Sequence, residues 1–242
     1  MEGVKLGNWF GYTLTEGLIY VESDTPPMFV FAQQPSLANQ YVAELRDVTL
    51  QKDRLRFRRN LERLGELMAY EISKEMPYQP VDVKTPLGTA STELLRQQPV
   101  LATILRAGLP FHQGFANYFD GAENAFAGAY RGHSAGDDEA FEIAMDYIVA
   151  PDLSGKTLIL CDPMLATGKS LEKVYHALLR YDIPAQTHIA AILASPEGIR
   201  HVQRQLPQCR LWLGAIDDHL NDHFYIVPGL GDAGDLAFGP KV

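Results

Sequence analysis

Two cysteines, Cys161 and Cys209, are all that the 242 residues contain. They are too few for a disulfide framework or a thiolate metal site, and a single bridge between them does not suit a reducing cell, so both are expected as packing residues. Basic residues are also in deficit: 21 Lys and Arg against 30 Asp and Glu give a formal net charge of -9, with a pI near 5.2. A chain of that sign does not coat nucleic acid or an anionic membrane, because such binding rests on clustered cations. Any phosphate it binds must be held by local geometry. No uninterrupted apolar run approaches bilayer-spanning length, and the opening stretch "MEGVKLGNWFGYTLTEGLIY" lacks the basic region and apolar core of a signal peptide. These absences predict no membrane association and a cytoplasmic protein. No internal repeat array is present either.

What is there suffices for a full core, since 46% of the residues are hydrophobic, whether as one domain with an appendage or as two small ones. Residues 1–34 are rich in aromatics and turn formers and are broken by "DTPP" at 24–27, which predicts a peripheral extension or small hairpin ahead of a main domain over 35–242. From Pro35 to Met76 apolar residues recur at steps of three and four (Phe57, Leu61, Leu64, Met68, Ile72). That spacing predicts one long amphipathic helix, ending before Pro77. Beyond it, apolar runs at 100–105, 125–130, 157–161, 188–193 and 211–216 read as parallel strands buried on both faces, with amphipathic segments at 169–181 and 197–205 between the later ones. The alternation predicts an α/β, doubly wound, mostly parallel sheet flanked by helices, with ligand loops at the carboxyl ends of its strands. A Gly, Ser and Asp cluster opens the long stretch after Arg131, predicting a mobile flap over about 132–148 with an irregular or strand-like return. The glycine-dense tail "YIVPGLGDAGDLAFGP" reads as architecture built from backbone rather than a helix.

The stretch "CDPMLATGKS", residues 161–170, ends like a nucleoside-triphosphate P-loop. A Walker A loop, however, needs a glycine where this chain has Pro163, and proline has no N–H and a fixed φ. The same physics serves a shorter loop. Strand 157–161 delivers Asp162 to the sheet edge, and "PMLATGKS" turns into a helix whose free N–H groups and dipole favour an anion. Ala166, Thr167 and Gly168 let backbone approach a phosphate monoester, while the Thr167 and Ser170 hydroxyls add donors. An acid beside a phosphate cup fits a ribose 5-phosphate. On this stretch alone an ordinary βα turn with Asp162 at its start is the alternative. Arg106 follows strand 100–105 and Arg131 follows strand 125–130; two cations at adjacent strand ends beside such a cup suit a polyanion.

"LILCDPMLATGKS" resembles the 5-phospho-α-D-ribose 1-diphosphate (PRPP) loop of type I phosphoribosyltransferases, in the form with Pro after the Asp that is typical of the uracil phosphoribosyltransferase family. "ILRAGL" (104–109), "YR" (130–131) and the tail "YIVPGLGDAGD" (225–235), preceded by "AIDDHLNDH" (215–223), agree with that family in order and spacing. The resemblance covers the chain from about Leu37 to the C-terminus. It implies the type I phosphoribosyltransferase fold with a base-binding hood at about 215–242. It implies that Asp162, Pro163, Met164, Leu165, Ala166, Thr167, Gly168, Lys169 and Ser170 bind the ribose 5-phosphate of PRPP, with Arg106 and Arg131 on its pyrophosphate. Ile226, Gly231, Asp232 and Ala233 would form the uracil site, with Asp232 also reaching PRPP. Asp162, Arg106 and Arg131 would carry catalysis, making UMP and pyrophosphate from uracil and PRPP in pyrimidine salvage. Mg²⁺ would arrive on the pyrophosphate with no direct protein ligand. The resemblance further implies a homodimer or higher homo-oligomer, with room for GTP as an allosteric activator.

Three motifs depart from the family. Lys169 replaces the second glycine of the usual T-G-G-S and is expected in the first helical turn, pointing outward or onto the phosphate. "YRGH" stands where "YRNE" is usual, and Phe224 stands where "NEHGY" has glycine. A catalytically weak regulator of the same fold that senses PRPP or nucleotides, or a phosphoribosyltransferase for another base, are the competing readings. His219 and His223, spaced i and i+4, lack the Glu of a metalloprotease helix and are expected to face solvent in part.

Overall fold

The computed structural model of the protein describes residues 12–15, 18–21, 28–131 and 143–241, with side chains described for 28–128 and 147–241. The elements in chain order are β1 (Tyr12–Thr15), β2 (Leu18–Val21), β3 (Met28–Val30), α1 (Leu37–Arg46), α2 (Arg54–Ser73), β4 (Tyr78–Thr85), β5 (Gly88–Leu95), β6 (Val100–Leu105), α3 (Gly108–Ala116) and β7 (Glu123–Arg131). They continue with β8 (Ile143–Val149), β9 (Thr157–Cys161), β10 (Met164–Leu165), α4 (Lys169–Leu178), β11 (Gln186–Ala194), α5 (Pro196–Gln205), β12 (Cys209–Ile216), β13 (His219–Leu220), β14 (Ile226–Val227) and α6 (Ala233–Phe238).

The main sheet runs in the order β1-β2-β3-β12-β11-β9-β6-β7-β8. From β3 to β7 neighbouring strands are parallel. Antiparallel β8 closes one edge and the β1–β2 hairpin the other. Strand side chains alternate between the two faces, and both faces are covered. Along β9, Ile159 and Cys161 pack with α1, α2 and α3, while Leu158 and Leu160 pack with α4 and α5.

Three expectations need correction. The helical pattern of 35–76 is two helices, because Asp47 accepts N–H groups from Thr49 and Leu50 and starts a turn, and Asp53 then caps α2 by accepting the Arg56 N–H. The glycine-dense tail contains a short helix, α6, capped by Asp232 and seated by buried Ala233 and Ala237. The β4–β5 hairpin has no counterpart in the sequence reading. It pairs from Tyr78↔Leu95 to Thr85↔Gly88, yet nearly every residue on both its faces is exposed. Of the expected flap, residues 132–142 lie outside the described residues, and the strand-like return is β8.

Across β11 and β12, His188 is fully buried and its Nδ1 accepts the Trp212 indole N–H at 2.9 Å. Arg210 lies over the Trp212 ring and pairs with Glu75.

Candidate active site

The sheet order places β9, β6 and β7 side by side and parallel, so Asp162, Arg106 and Arg131 stand at or just beyond three adjacent carboxyl ends. From β6 the chain moves one way to β7 and later returns on the other side to β9. That reversal is the topological switch point at which open α/β sheets bind ligands. Two bonds tie these ends together: the Thr103 hydroxyl donates to the Cys161 carbonyl at 2.9 Å, and the Cys161 thiol donates to the Ala102 carbonyl at 3.2 Å. Both cysteines are buried and free, and burial pushes the Cys161 thiol up to about 12, which is packing rather than nucleophile chemistry.

Asp162 is held by its own N–H, which donates to the Ala190 carbonyl at 3.1 Å. Its Oδ1 accepts the Met164 N–H at 3.3 Å. Burial pushes its carboxyl up to about 7, and that one bond only partly offsets the effect. From here the carbonyls of the loop are taken up by the protein behind it. The Pro163 carbonyl accepts N–H groups of Ile192 and Leu193, and that of Leu165 accepts the Ser195 N–H, all at 3.0 Å. The Ala166 carbonyl accepts the Ser195 hydroxyl at 2.7 Å. Gly168 then takes φ +78 with its Cα against α5, where a Cβ would stand 3.0 Å from His201 and 3.1 Å from the Gly198 carbonyl. Only glycine takes that turn readily. Lys169 opens α4 in ordinary helical conformation and is exposed, so the one left-handed position of the loop is Gly168, and a side chain at 169 is accommodated.

Arg106 donates through Nη2 to Asp235 Oδ1 at 2.8 Å and through Nη1 to the Gly239 carbonyl at 3.3 Å. The tail is thereby brought to the end of β6. Arg131 is the last residue of β7, opposite Ile143, and its side chain lies outside the described residues. In the tail, Ile226 is buried in β14, Gly231 is exposed at φ +99, and Asp232 caps α6 by accepting the Asp235 N–H at 2.9 Å. Burial raises the Asp232 carboxyl, but the Asp235 N–H and the Lys241 charge outweigh it and hold the carboxyl below its usual range. His219 and His223 are both exposed. Phe224 adopts φ +58, the region that glycine fills easily.

Sequence reasoning missed Asp235, although it lies inside the quoted tail motif three residues beyond Asp232. It also missed Arg46 and Asp217, which bracket the tail turn. Arg46 sits on α1 as an unremarkable helical arginine, and no local signal marks it.

A mostly parallel sheet with an Asp-led loop at its switch point and an arginine on the next strand end is the arrangement of type I phosphoribosyltransferases. The family model described as uracil phosphoribosyltransferase matches residues 32–240. A uracil phosphoribosyltransferase of Porphyromonas gingivalis is 55% identical over 208 residues, covering 86% of this chain and 95% of that protein. One of Pyrococcus furiosus is 38% identical over 218 residues, covering 89% and 91%. The solved structure of the AQ2163 protein from Aquifex aeolicus superposes with a TM-score of 0.76 at 30% identity, covering 86% of this chain and 97% of that one. The chain belongs to the uracil phosphoribosyltransferase family, and it is an enzyme of the phosphoribosyl-transferring class.

Proposed function

We infer that this chain joins uracil N1 to C1 of PRPP, with pyrophosphate leaving, to give UMP. The observation that carries the assignment of residues is the meeting of three adjacent strand ends, bearing Asp162, Arg106 and Arg131, with a tail tied to Arg106 through Asp235. The phosphate loop offers Thr167, Gly168 and the start of α4 to the 5-phosphate. The carbonyls of Pro163, Leu165 and Ala166 are occupied from behind, which leaves N–H groups at the start of α4 for an anion.

In the transfer the C1–N1 bond forms as the C1–O bond to pyrophosphate breaks. The electron pair stays with pyrophosphate, and the N1 proton is lost. Positive charge grows at C1 and the ring oxygen, as in glycoside hydrolysis. Asp162 takes the ribose hydroxyls and aims C1 at the base, which relieves its own unfavourable desolvation. Arg106 and Arg131 neutralise the leaving group. Mg²⁺ carried on the pyrophosphate would supply further positive charge there. As a hard cation it takes oxygen ligands, and the tail carboxylates Asp232 and Asp235 flank Arg106 on that side.

Uracil presents a planar set of carbonyl acceptors and N–H donors. Backbone at Ile226 and at Gly231 to Ala233 answers it, and cytosine would set its amino donor against a backbone donor. Free buried thiols accord with a reducing, cytoplasmic setting. The hairpin β4–β5, with exposed Leu87 and Leu94, supports a homo-oligomer, since an isolated two-stranded arm has marginal stability by itself.

Incubation of the purified protein with PRPP, Mg²⁺ and single bases tests the reading. UMP from uracil alone is expected, faster with GTP if the family's activator acts here; product from another base, or none from any, overturns it.

A further inference from the structure

Behind the tail turn lies an ion pair that no ligand-binding motif includes. Asp217 follows β12, and its side chain is 4% exposed. Arg46, the last residue of α1, grips it with both arms: Nη2 donates to Oδ1 at 2.5 Å and Nη1 to Oδ2 at 2.8 Å. The same Nη1 also donates to the Gly229 carbonyl at 3.0 Å. In return the Gly229 N–H donates to Asp217 Oδ2 at 2.8 Å. Both polar groups of one peptide residue are therefore taken by one buried pair. Gly229 is held at φ +57, so close to the preceding turn that a Cβ would stand 2.0 Å from the Ile226 carbonyl oxygen. On its far side Asp217 is anchored to the sheet, its own N–H donating to the Ala194 carbonyl at 2.8 Å. The chain of contacts runs from the end of β11 through Asp217 to Gly229 and the Ile226 carbonyl.

We propose that Arg46 and Asp217 are positioning residues for base recognition: they set the angle at which the segment from Ile226 to Gly231 meets the uracil ring. A buried ion pair gives little net stability compared with a packed apolar pair of the same volume, because desolvation consumes most of the Coulombic gain. What a bidentate guanidinium and carboxylate do supply is direction. Here that direction is applied to a glycine three residues from one base contact and two from the other. An arginine on the first helix is thus tied to the specificity of a segment more than 180 residues later. The proposal rests on reading the tail as the base site.

Steady-state kinetics with uracil and PRPP varied separately tests it on Arg46→Gln, Arg46→Lys, Asp217→Asn and the control Gly231→Ala, with thermal denaturation of each variant alongside. Arg46→Gln and Asp217→Asn are expected to raise the uracil KM about 10-fold while the PRPP KM stays within about two-fold. Arg46→Lys should recover part of the loss, since lysine keeps the charge but not the fork. Loss of active protein or of kcat with an unchanged uracil KM would assign the pair to stability alone and overturn the proposal, as would failure of all three pair variants to fold. If Asp217→Asn alone fails to fold, the Arg46 variants decide, because the Arg46 side chain is 24% exposed. If Gly231→Ala leaves the uracil KM unmoved, the reading of the tail falls. If Gly231→Ala raises it and the Arg46 variants do not, only this inference falls.

Discussion

Asp162 and Lys169 lie at opposite ends of the proposed phosphate loop, and each carries an electrostatic cost in the fold by itself. Burial keeps the Asp162 carboxyl protonated up to about 7, whereas an unfolded aspartate ionises near 3.8. The folded state therefore holds a proton that the unfolded state has lost, and the residue's burial costs stability increasingly as pH rises from 3.8 through 7. Asp162→Asn is expected to raise the thermal midpoint by several degrees at pH 8 and by little at pH 4, while abolishing UMP formation; calorimetry at the two pH values checks the first part and the base assay the second. Lys169 stands at the positive end of the α4 dipole, where a cation is destabilising. Lys169→Gln should raise the midpoint slightly and weaken PRPP binding roughly two- to five-fold, equivalent to about 0.4–1 kcal/mol, the difference fading as salt is added. An unchanged PRPP KM at low salt would remove Lys169 from the phosphate site. Its tolerance here was foreshadowed in the sequence: the residue before it is still glycine, and the structure puts the left-handed turn on Gly168 alone.

Among the elements, α5 is the support of the loop rather than a bystander. Ser195 is fully buried, caps α5 by accepting the Gly198 N–H at 2.9 Å, and donates to the Ala166 carbonyl at 2.7 Å. Ser195→Ala removes a helix cap and a loop bond together. It should cost about 1–2 kcal/mol by denaturant unfolding and raise the PRPP KM with little change for uracil. A uniform loss on both substrates would show that the loop does not depend on α5. The strands that position the site were legible because both faces of the sheet are covered, which makes each one a short apolar run. The divided helix was less so, since Asp47 and Asp53 stop and restart it through side-chain caps while the apolar spacing carries on across them. Arm β4–β5 was missed for the opposite reason: neither face is buried, so only the short alternation Val81, Asp82, Val83, Lys84 marks it. Helix α6 was hidden by the glycines around it, and what forms it is a local cap at Asp232 and two buried alanines, of which only the alanine packing depends on tertiary contacts. The placement of Asp162, Arg106 and Arg131 at neighbouring strand ends was legible from the apolar runs that precede them, whereas Asp235, Arg46 and Asp217 act through partners more than 120 residues away.

Burial depresses the imidazoles of both His112 and His188, so the whole molecule registers pH, and the deeper of the two is His188. Burial, helped by the charge of Arg210, depresses its imidazole to about 4, against about 6.5 in an unfolded chain. Between those values the unfolded chain takes up a proton that the folded one refuses, so this contribution is complete above 6.5 and is lost as pH falls toward 4, by up to roughly 3 kcal/mol. Asp162 tilts stability the other way across the whole of that range. In an Asp162→Asn background the midpoint should therefore fall steadily from pH 6.5 to 4, and adding His188→Gln should flatten that slope. A slope unchanged by His188→Gln would show that other groups set it.

The histidine is bonded to an indole, and this gives the experimenter a dye already in place. Trp212 is sealed in the core at 2% exposure, so its light emission stays at the short wavelengths of an indole shielded from water. When β11 and β12 separate, that shielding ends at the moment His188 becomes free to take its proton. Colour and charge are thus released together, and in a Trp9→Phe variant, which leaves Trp212 as the single indole, a fluorimeter can follow the acid transition without any label.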